Sequence, residues 1–131
     1  MNNDFISFEL AIKLQEKGFP QHQCDYAYII EENHEDIERE YVSFIPDYLP
    51  TVAAPTISQV LKWLREEKKI HITVLLLWEG YYAEVFTKVR WKTDDTHQRG
   101  LCFNIDKCIY KNETYEAAAL AGIEYVLDNL I

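Results

Sequence analysis

Apolar residues recur at helical spacing in three segments of the chain, each preceded by a residue that can cap a helix. The first segment predicts a helix over residues 7–17, with Ser7 as its N-cap and Gly18 as the left-handed residue that ends it. The second opens with Thr56, followed three residues later by Gln59, which predicts a capping box. These local signals fix where two helices begin.

The third segment predicts a helix over about residues 114–130, with Thr114 as its N-cap. Its interior contains Gly122, and a glycine inside a helix costs about 1 kcal/mol relative to alanine. We therefore expect the backbone of this helix to approach a neighbouring element closely at Gly122.

Segments rich in β-branched and aromatic residues predict the strands. Two strands are expected over residues 24–30 and 41–45, joined by an acidic run that is too charged to be buried. Pro46, Pro50 and Pro55 then predict a linker between elements, because proline lacks an N–H donor and disfavours helix at the residue before it.

A hairpin is expected over residues 70–89, with Glu79 and Gly80 as a two-residue turn. This turn places Trp78 opposite Tyr81 and makes one face of the hairpin almost entirely apolar. We expect the apolar face to pack against helices. The other face mixes apolar, aromatic and basic side chains.

The order of the elements predicts an α+β fold. The strands do not alternate with helices in a repeating βαβ pattern, so an antiparallel sheet is expected. The prediction is a single domain, residues 1–131, with a sheet of four or five strands and about three helices packed mainly on one of its faces. The fifth strand is expected over residues 101–105.

Charge is distributed unevenly along the 131 residues, which carry a net charge of -9. Residues 1–56 hold 11 acids and 3 bases, whereas residues 57–131 hold 11 acids and 10 bases. Within the second part, residues 88–111 are locally basic, with six bases against three acids. A negatively charged chain is repelled by phosphate backbones, so nucleic-acid binding is disfavoured.

Two features of composition indicate a cellular location. The apolar run from Val74 to Trp78 has only five residues, far short of the roughly 20 that a transmembrane helix needs. Three cysteines fit a reducing compartment better than a disulfide framework, and no signal peptide is expected. We therefore expect no membrane partner and a cytoplasmic location.

Residues capable of metal binding or catalysis form no recognisable motif in the sequence. His22 and Cys24 lie two apart, but the second closely spaced pair typical of a structural zinc site is missing. None of the three cysteines is followed by a Gly-rich turn, and the four glycines are isolated, so neither a nucleophile nor a phosphate-binding loop is predicted. The expectation is no metal, no cofactor and no catalytic residue.

The strongest candidate site is the mixed face of the predicted hairpin. Its aromatic and basic side chains suit either a protein interface or a single-stranded nucleic acid, and the net charge favours a protein. A third possibility is that another segment of the chain covers this face. The candidate residues are Leu75, Leu77, Tyr82, Phe86, Lys88 and Arg90 on the hairpin, and Glu35, Asp36 and Glu38 in the acidic run.

Three stretches carry a resemblance to a known family: SFELAIKLQEKGF from Ser7, APTISQVLKWLREEKKIHI from Ala54 and TYEAAALAGIEYVLDNLI from Thr114. They resemble a family of small uncharacterised proteins encoded in Bacteroides-type genomes, commonly in prophage or conjugative-element neighbourhoods. The resemblance implies a mobile-element context and supplies no catalytic residue. All three stretches coincide with predicted helices, which suggests that the shared residues maintain the fold.

The sequence therefore predicts a non-enzymatic accessory protein of a mobile element that binds another protein or a copy of itself. In a homodimer, the basic stretch 88–92 of one chain is expected to face the acidic run 31–40 of the other. Two alternatives stay open. One is a nucleic-acid-related role, either single-strand binding on residues 82–90 or mimicry of DNA by the acidic surface; the other is a small enzyme whose pocket is not visible in the sequence.

Overall fold

The computed structural model describes residues 4–30, 38–93 and 99–131, and within residues 88–93, 99–107 and 110–111 it describes the backbone. Three α-helices, one short 3-10 helix and six strands occur in these ranges. In chain order they are α1 (Phe8–Glu16), β1 (Tyr26–Ile29), β2 (Arg39–Tyr41), the 3-10 helix (Val42–Phe44), β3 (Thr51–Ala53), α2 (Ile57–Glu67), β4 (His71–Leu77), β5 (Gly80–Thr93), β6 (Arg99–Asn112) and α3 (Tyr115–Asn129).

Local hydrogen bonds explain both ends of α1. The Ser7 hydroxyl accepts a hydrogen bond from a backbone N–H of the first turn at 3.3 Å. At the other end Gly18 has a φ of +93°. Its N–H donates to the Gln15 carbonyl at 3.1 Å, and the N–H of Phe19 donates to the Leu14 carbonyl at 2.9 Å. This pair of bonds is a Schellman ending, so the predicted bounds of the helix are confirmed.

The predicted capping box begins α2. The N–H of Gln59 donates to Thr56 Oγ1 at 3.2 Å, and the N–H of Thr56 donates to Gln59 Oε1 at 2.8 Å. Further along the helix, Trp63 is buried and meets the Phe19 ring edge to face, with ring centroids 5.3 Å apart. Thr114 caps α3 with its side chain, as predicted.

The first sheet has the strand order β2-β1-β3, with antiparallel neighbours. Two predictions are wrong here. The strand expected over residues 41–45 ends at its first residue, because the chain turns into the 3-10 helix ahead of Pro46. The expected linker contains β3, since Pro50 and Pro55 flank this strand and leave its N–H groups available for pairing with β1.

The second sheet has the strand order β4-β5-β6, also antiparallel. The hairpin is confirmed, but its predicted register is wrong by two residues: Leu77 pairs with Gly80, so the turn is Trp78 and Glu79. An even shift leaves each side chain on its predicted face, which is why the two faces keep their composition. The strand expected over residues 101–105 is part of the longer β6.

The α+β class is confirmed, but the single sheet of four or five strands is wrong. The described strands form two sheets of three, because β2 and β3 occupy both sides of β1 and leave no place there for the hairpin. The helices contact both sheets: α3 packs on all three strands of the second sheet, and α1 packs on β3 of the first.

One cluster of buried side chains joins both sheets to the three helices. Within it, α3 approaches the second sheet closely at Gly122, where an added Cβ would lie 2.9 Å from Ile72 Cγ2 and 3.5 Å from Ala83 Cβ. The expected close approach at Gly122 is confirmed. On the inner face of the second sheet, which α3 covers here, Ala83 and Val85 are fully buried.

Replacing Gly122 tests this contact. We expect Gly122→Ala to lower the free energy of unfolding by about 1 kcal/mol, because overpacking against Ile72 outweighs the gain in helix propensity. In an Ile72→Ala background, which removes the obstructing methyl group, the same change is expected to stabilise by up to about 1 kcal/mol. Urea denaturation of the four proteins measures both effects, and equal effects in the two backgrounds would contradict the contact.

Candidate interaction surface

The outer face of the second sheet, on the side away from α3, carries four of the predicted candidate residues. Leu75 pairs directly with Tyr82 across the two strands, and His71 pairs with Phe86. Leu77 lies at the end of β4, on the same face as Leu75 because side chains two residues apart share a face. The structure therefore brings these four predicted residues onto one face.

The end of the hairpin exposes four consecutive large apolar residues, which we call the hairpin tip. The exposed fractions are 38% for Leu75, 66% for Leu76, 43% for Leu77 and 96% for Trp78. Leu75 and Leu77 belong to the outer face and Leu76 to the inner face, so the tip is open on both sides. Contiguous exposed apolar surface of this kind marks binding sites on folded proteins.

The strand that leads to the hairpin tip, β4, lies at an edge of its sheet. In the described part of the chain it pairs with β5 alone, and no described strand runs along its other side. Its sequence, HITVLLL, contains no Lys, Arg, Asp, Glu or Pro, the residues with which natural edge strands prevent pairing with other chains. Its pairing with β5 is also regular along its whole length. A further strand could therefore add to this edge.

Lys88 and Arg90 follow Phe86 on β5, and simple alternation predicts all three on the outer face. A bulge interrupts that alternation, because the step from Thr87 to Arg90 spans three residues on β5 but two on the paired strand β6. Simple alternation therefore does not place Arg90 on the face of Phe86. The side chains of Lys88 and Arg90 themselves lie outside the described residues.

Of the three predicted acidic candidates, the structure describes Glu38 alone. Glu38 is exposed and immediately precedes β2. It therefore belongs to the first sheet rather than to the outer face of the second. Glu35 and Asp36 lie outside the described residues.

His71 begins β4 and lies on the outer face. Burial, with a smaller contribution from the positive charge of Arg65, lowers the pKa of His71 below its ordinary value of 6.5. The imidazole is therefore neutral at pH 7. The edge strand carries no formal charge along its length at that pH.

A second exposed surface, on the first sheet, is absent from the sequence predictions. The rings of Phe5, Tyr26, Tyr41 and Phe44 form a chain of contacts, which we call the aromatic cluster. Successive ring centroids are 5.1 Å, 4.3 Å and 5.8 Å apart. The guanidinium of Arg39 lies 3.9 Å from the centroid of Phe5. The sequence signal is slight: two tyrosines at the ends of strands that flank the acidic run.

A cavity of about 560 Å³ lies between the end of α1 and α2 and is lined by Cys24 and Trp63 among others. Burial raises the pKa of the Cys24 thiol, and the charge of Asp25 adds to this effect, so the reactive thiolate is disfavoured. The described lining includes no histidine that could act as a base for this thiol.

Neither a metal site in the described residues nor a known relative indicates what the exposed surfaces bind. Across residues 4–30, 38–93 and 99–131, no group of three or more His, Cys, Asp or Glu side chains is placed to hold a metal ion. None of the helices in those ranges has the length and apolar character needed to cross a bilayer. Comparison with protein-family models, curated proteins and solved structures finds no match. The resemblance to the Bacteroides-type family therefore stays a prediction.

The lowered pKa of His71 predicts a pH dependence of stability. The unfolded chain binds a proton at His71 as the pH falls through about 6.5, whereas the folded chain resists protonation until lower pH. The free energy of unfolding therefore falls with decreasing pH. We expect His71→Gln to lose less stability than the wild type between about pH 7.5 and 5.5, measured by urea denaturation. Parallel losses in the two proteins would show that His71 does not contribute.

Proposed function

We propose that the chain is a non-enzymatic protein-interaction module that associates with a second copy of itself through β4 and the hairpin tip. The observation that carries the proposal is an edge strand without Lys, Arg, Asp, Glu or proline, whose last three residues and the following Trp78 are exposed and apolar. A further strand would hydrogen-bond to the edge, and burial of the tip would contribute about 25 cal/mol for each Å² of apolar surface removed from water.

A second copy fits this edge because antiparallel pairing of a strand with itself is self-complementary. A two-fold axis through the middle of β4 joins two sheets of three strands into one sheet of six. In that arrangement the hairpin tip of each chain lies beside the start of β4 in the other. The neutral His71 at that start brings no charge into the contact.

A nucleic-acid role has less support. The net charge of -9 repels phosphate backbones. The bulge between Thr87 and Arg90 also interrupts the strand alternation on which the predicted placement of Arg90 beside Tyr82 and Phe86 rests. The acidic surface is better suited to proteins that carry positive charge.

The proposed biological setting rests on the resemblance of three stretches to proteins of Bacteroides-type mobile elements. We propose that the chain acts there as an accessory protein in the cytoplasm. The three stretches cover α1, α2 and α3, whose buried faces build the core. These stretches are the basis for the proposed mobile-element setting. The exposed edge of β4 is the basis for the proposed self-association.

Light scattering of the wild type and of Leu75→Lys tests the proposed association. We expect a wild-type mass of about 31 kDa, twice the 15.5 kDa of one chain. The variant is expected to be monomeric, because lysine on an edge strand opposes pairing between chains. Its fold is expected to be retained, since Leu75 is already 38% exposed.

The matched control is Tyr115→Lys, which places the same charge at an exposed residue of α3, outside both sheets. This variant should remain a dimer. A wild type that is monomeric across a wide concentration range would contradict the proposal. So would a Leu75→Lys variant that stays dimeric.

A further inference from the structure

The aromatic cluster of the first sheet ends in an open apolar surface. Tyr41 and Val42 are each 46% exposed, Phe44 is 72% exposed and Tyr48 is 83% exposed. The rings of Tyr41 and Phe44 meet edge to face at 79°, so they do not cover each other by stacking. Four large apolar residues within residues 41–48 therefore face water without a role in the core.

This cluster already binds one guanidinium. Arg39 lies 3.9 Å from the ring centroid of Phe5 and 6.0 Å from that of Tyr26. The faces of aromatic rings carry the negative part of their quadrupole and attract cations. Arg39 covers the Phe5 end of the cluster and leaves the rings at the Tyr41 and Phe44 end exposed.

The surroundings of the exposed rings are acidic. Exposed carboxylates lie before Tyr41 and between Phe44 and Tyr48 in the chain, and Arg39 is the only Lys or Arg between residues 18 and 56. One carboxylate is held at the backbone of Tyr41, because Glu40 Oε1 accepts a hydrogen bond from the Tyr41 N–H at 3.1 Å. The exposed acids of this region are Asp25, Glu38, Glu40 and Asp47. The local potential therefore attracts cations.

We infer that the exposed end of the aromatic cluster binds arginine side chains of a basic segment in a partner protein. A guanidinium is planar, so it stacks on aromatic rings and pairs with carboxylates through two parallel hydrogen bonds. An ammonium group stacks less well on a ring and cannot form the paired hydrogen bonds. The apolar stem of arginine suits the neighbouring exposed surface. This site is on the first sheet, so it does not depend on self-association through β4 of the second.

Isothermal titration calorimetry with a capped peptide of alternating arginine and glycine tests the inference, with the matching lysine peptide as comparison. The wild type is expected to bind the arginine peptide several-fold more tightly than the lysine peptide. Phe44→Leu keeps an apolar side chain but removes the ring, and is expected to weaken binding of the arginine peptide about fivefold. Phe44→Tyr keeps the ring and should bind like the wild type.

Two controls separate this site from other effects. Tyr115→Leu removes an exposed ring on α3, away from the aromatic cluster, and should leave binding unchanged. Leu75→Lys should also bind the arginine peptide normally, so failure of self-association and failure of this site are distinguishable. Combined Glu38→Gln and Asp47→Asn substitutions are expected to weaken binding, whereas Glu67→Gln on α2 is not.

Several outcomes would overturn the inference. Equal affinity for the arginine and lysine peptides would show attraction by charge alone. Unchanged affinity in Phe44→Leu would remove the ring from the site. Tighter binding of a single-stranded oligonucleotide than of the arginine peptide would show that the rings stack on nucleic-acid bases. Failure of the arginine peptide to bind even at low salt would show that the surface does not bind arginine.

Discussion

The close approach of α3 to the second sheet at Gly122 decides which surfaces of that sheet are available. Because the helix backbone lies against Ile72 and Ala83, the inner face is covered there, and Ala83 and Val85 are fully buried. Leu75 and Leu77 alternate with the inward residues of β4, so the same packing directs them away from the core. This contact therefore leaves Leu75 and Leu77 exposed on the outer face, and the edge beside them is uncharged because β4 contains no Lys, Arg, Asp or Glu.

The two sheets differ in chemistry, and the difference suggests how the proposed activities combine. The first sheet carries exposed aromatic rings among acidic residues, and the second presents a neutral edge beside strands rich in bases. A dimer formed through β4 would place the neutral strands at its centre and present two aromatic clusters. A basic partner with two arginine segments would then bind with increased avidity, because its second contact becomes intramolecular.

Local signals in the sequence predicted the helix ends, because a cap or a Schellman ending depends on residues within one turn. The capping box at Thr56 and the ending at Gly18 are examples. Strand partners depend on distant segments, and here the prediction was wrong. Three of the four residues between Pro50 and Pro55 form β3 because β1 lies beside them. Leu75 and Tyr82 were placed on the correct face because a register error of two residues moves no side chain to the other face of the sheet. The aromatic cluster was not predicted, because it depends on the pairing of Tyr26 with Tyr41 across two strands of the first sheet.

Amide hydrogen exchange along β4, measured at high and low protein concentration, shows whether this edge pairs with a second chain. If β4 pairs with a second copy, the amides of residues 71–77 that do not bond to β5 will be protected at high concentration and will lose that protection on dilution. Amides of α3 should show no such change. Exchange along β4 that is the same at both concentrations, together with a constant monomeric mass, would contradict pairing at this edge.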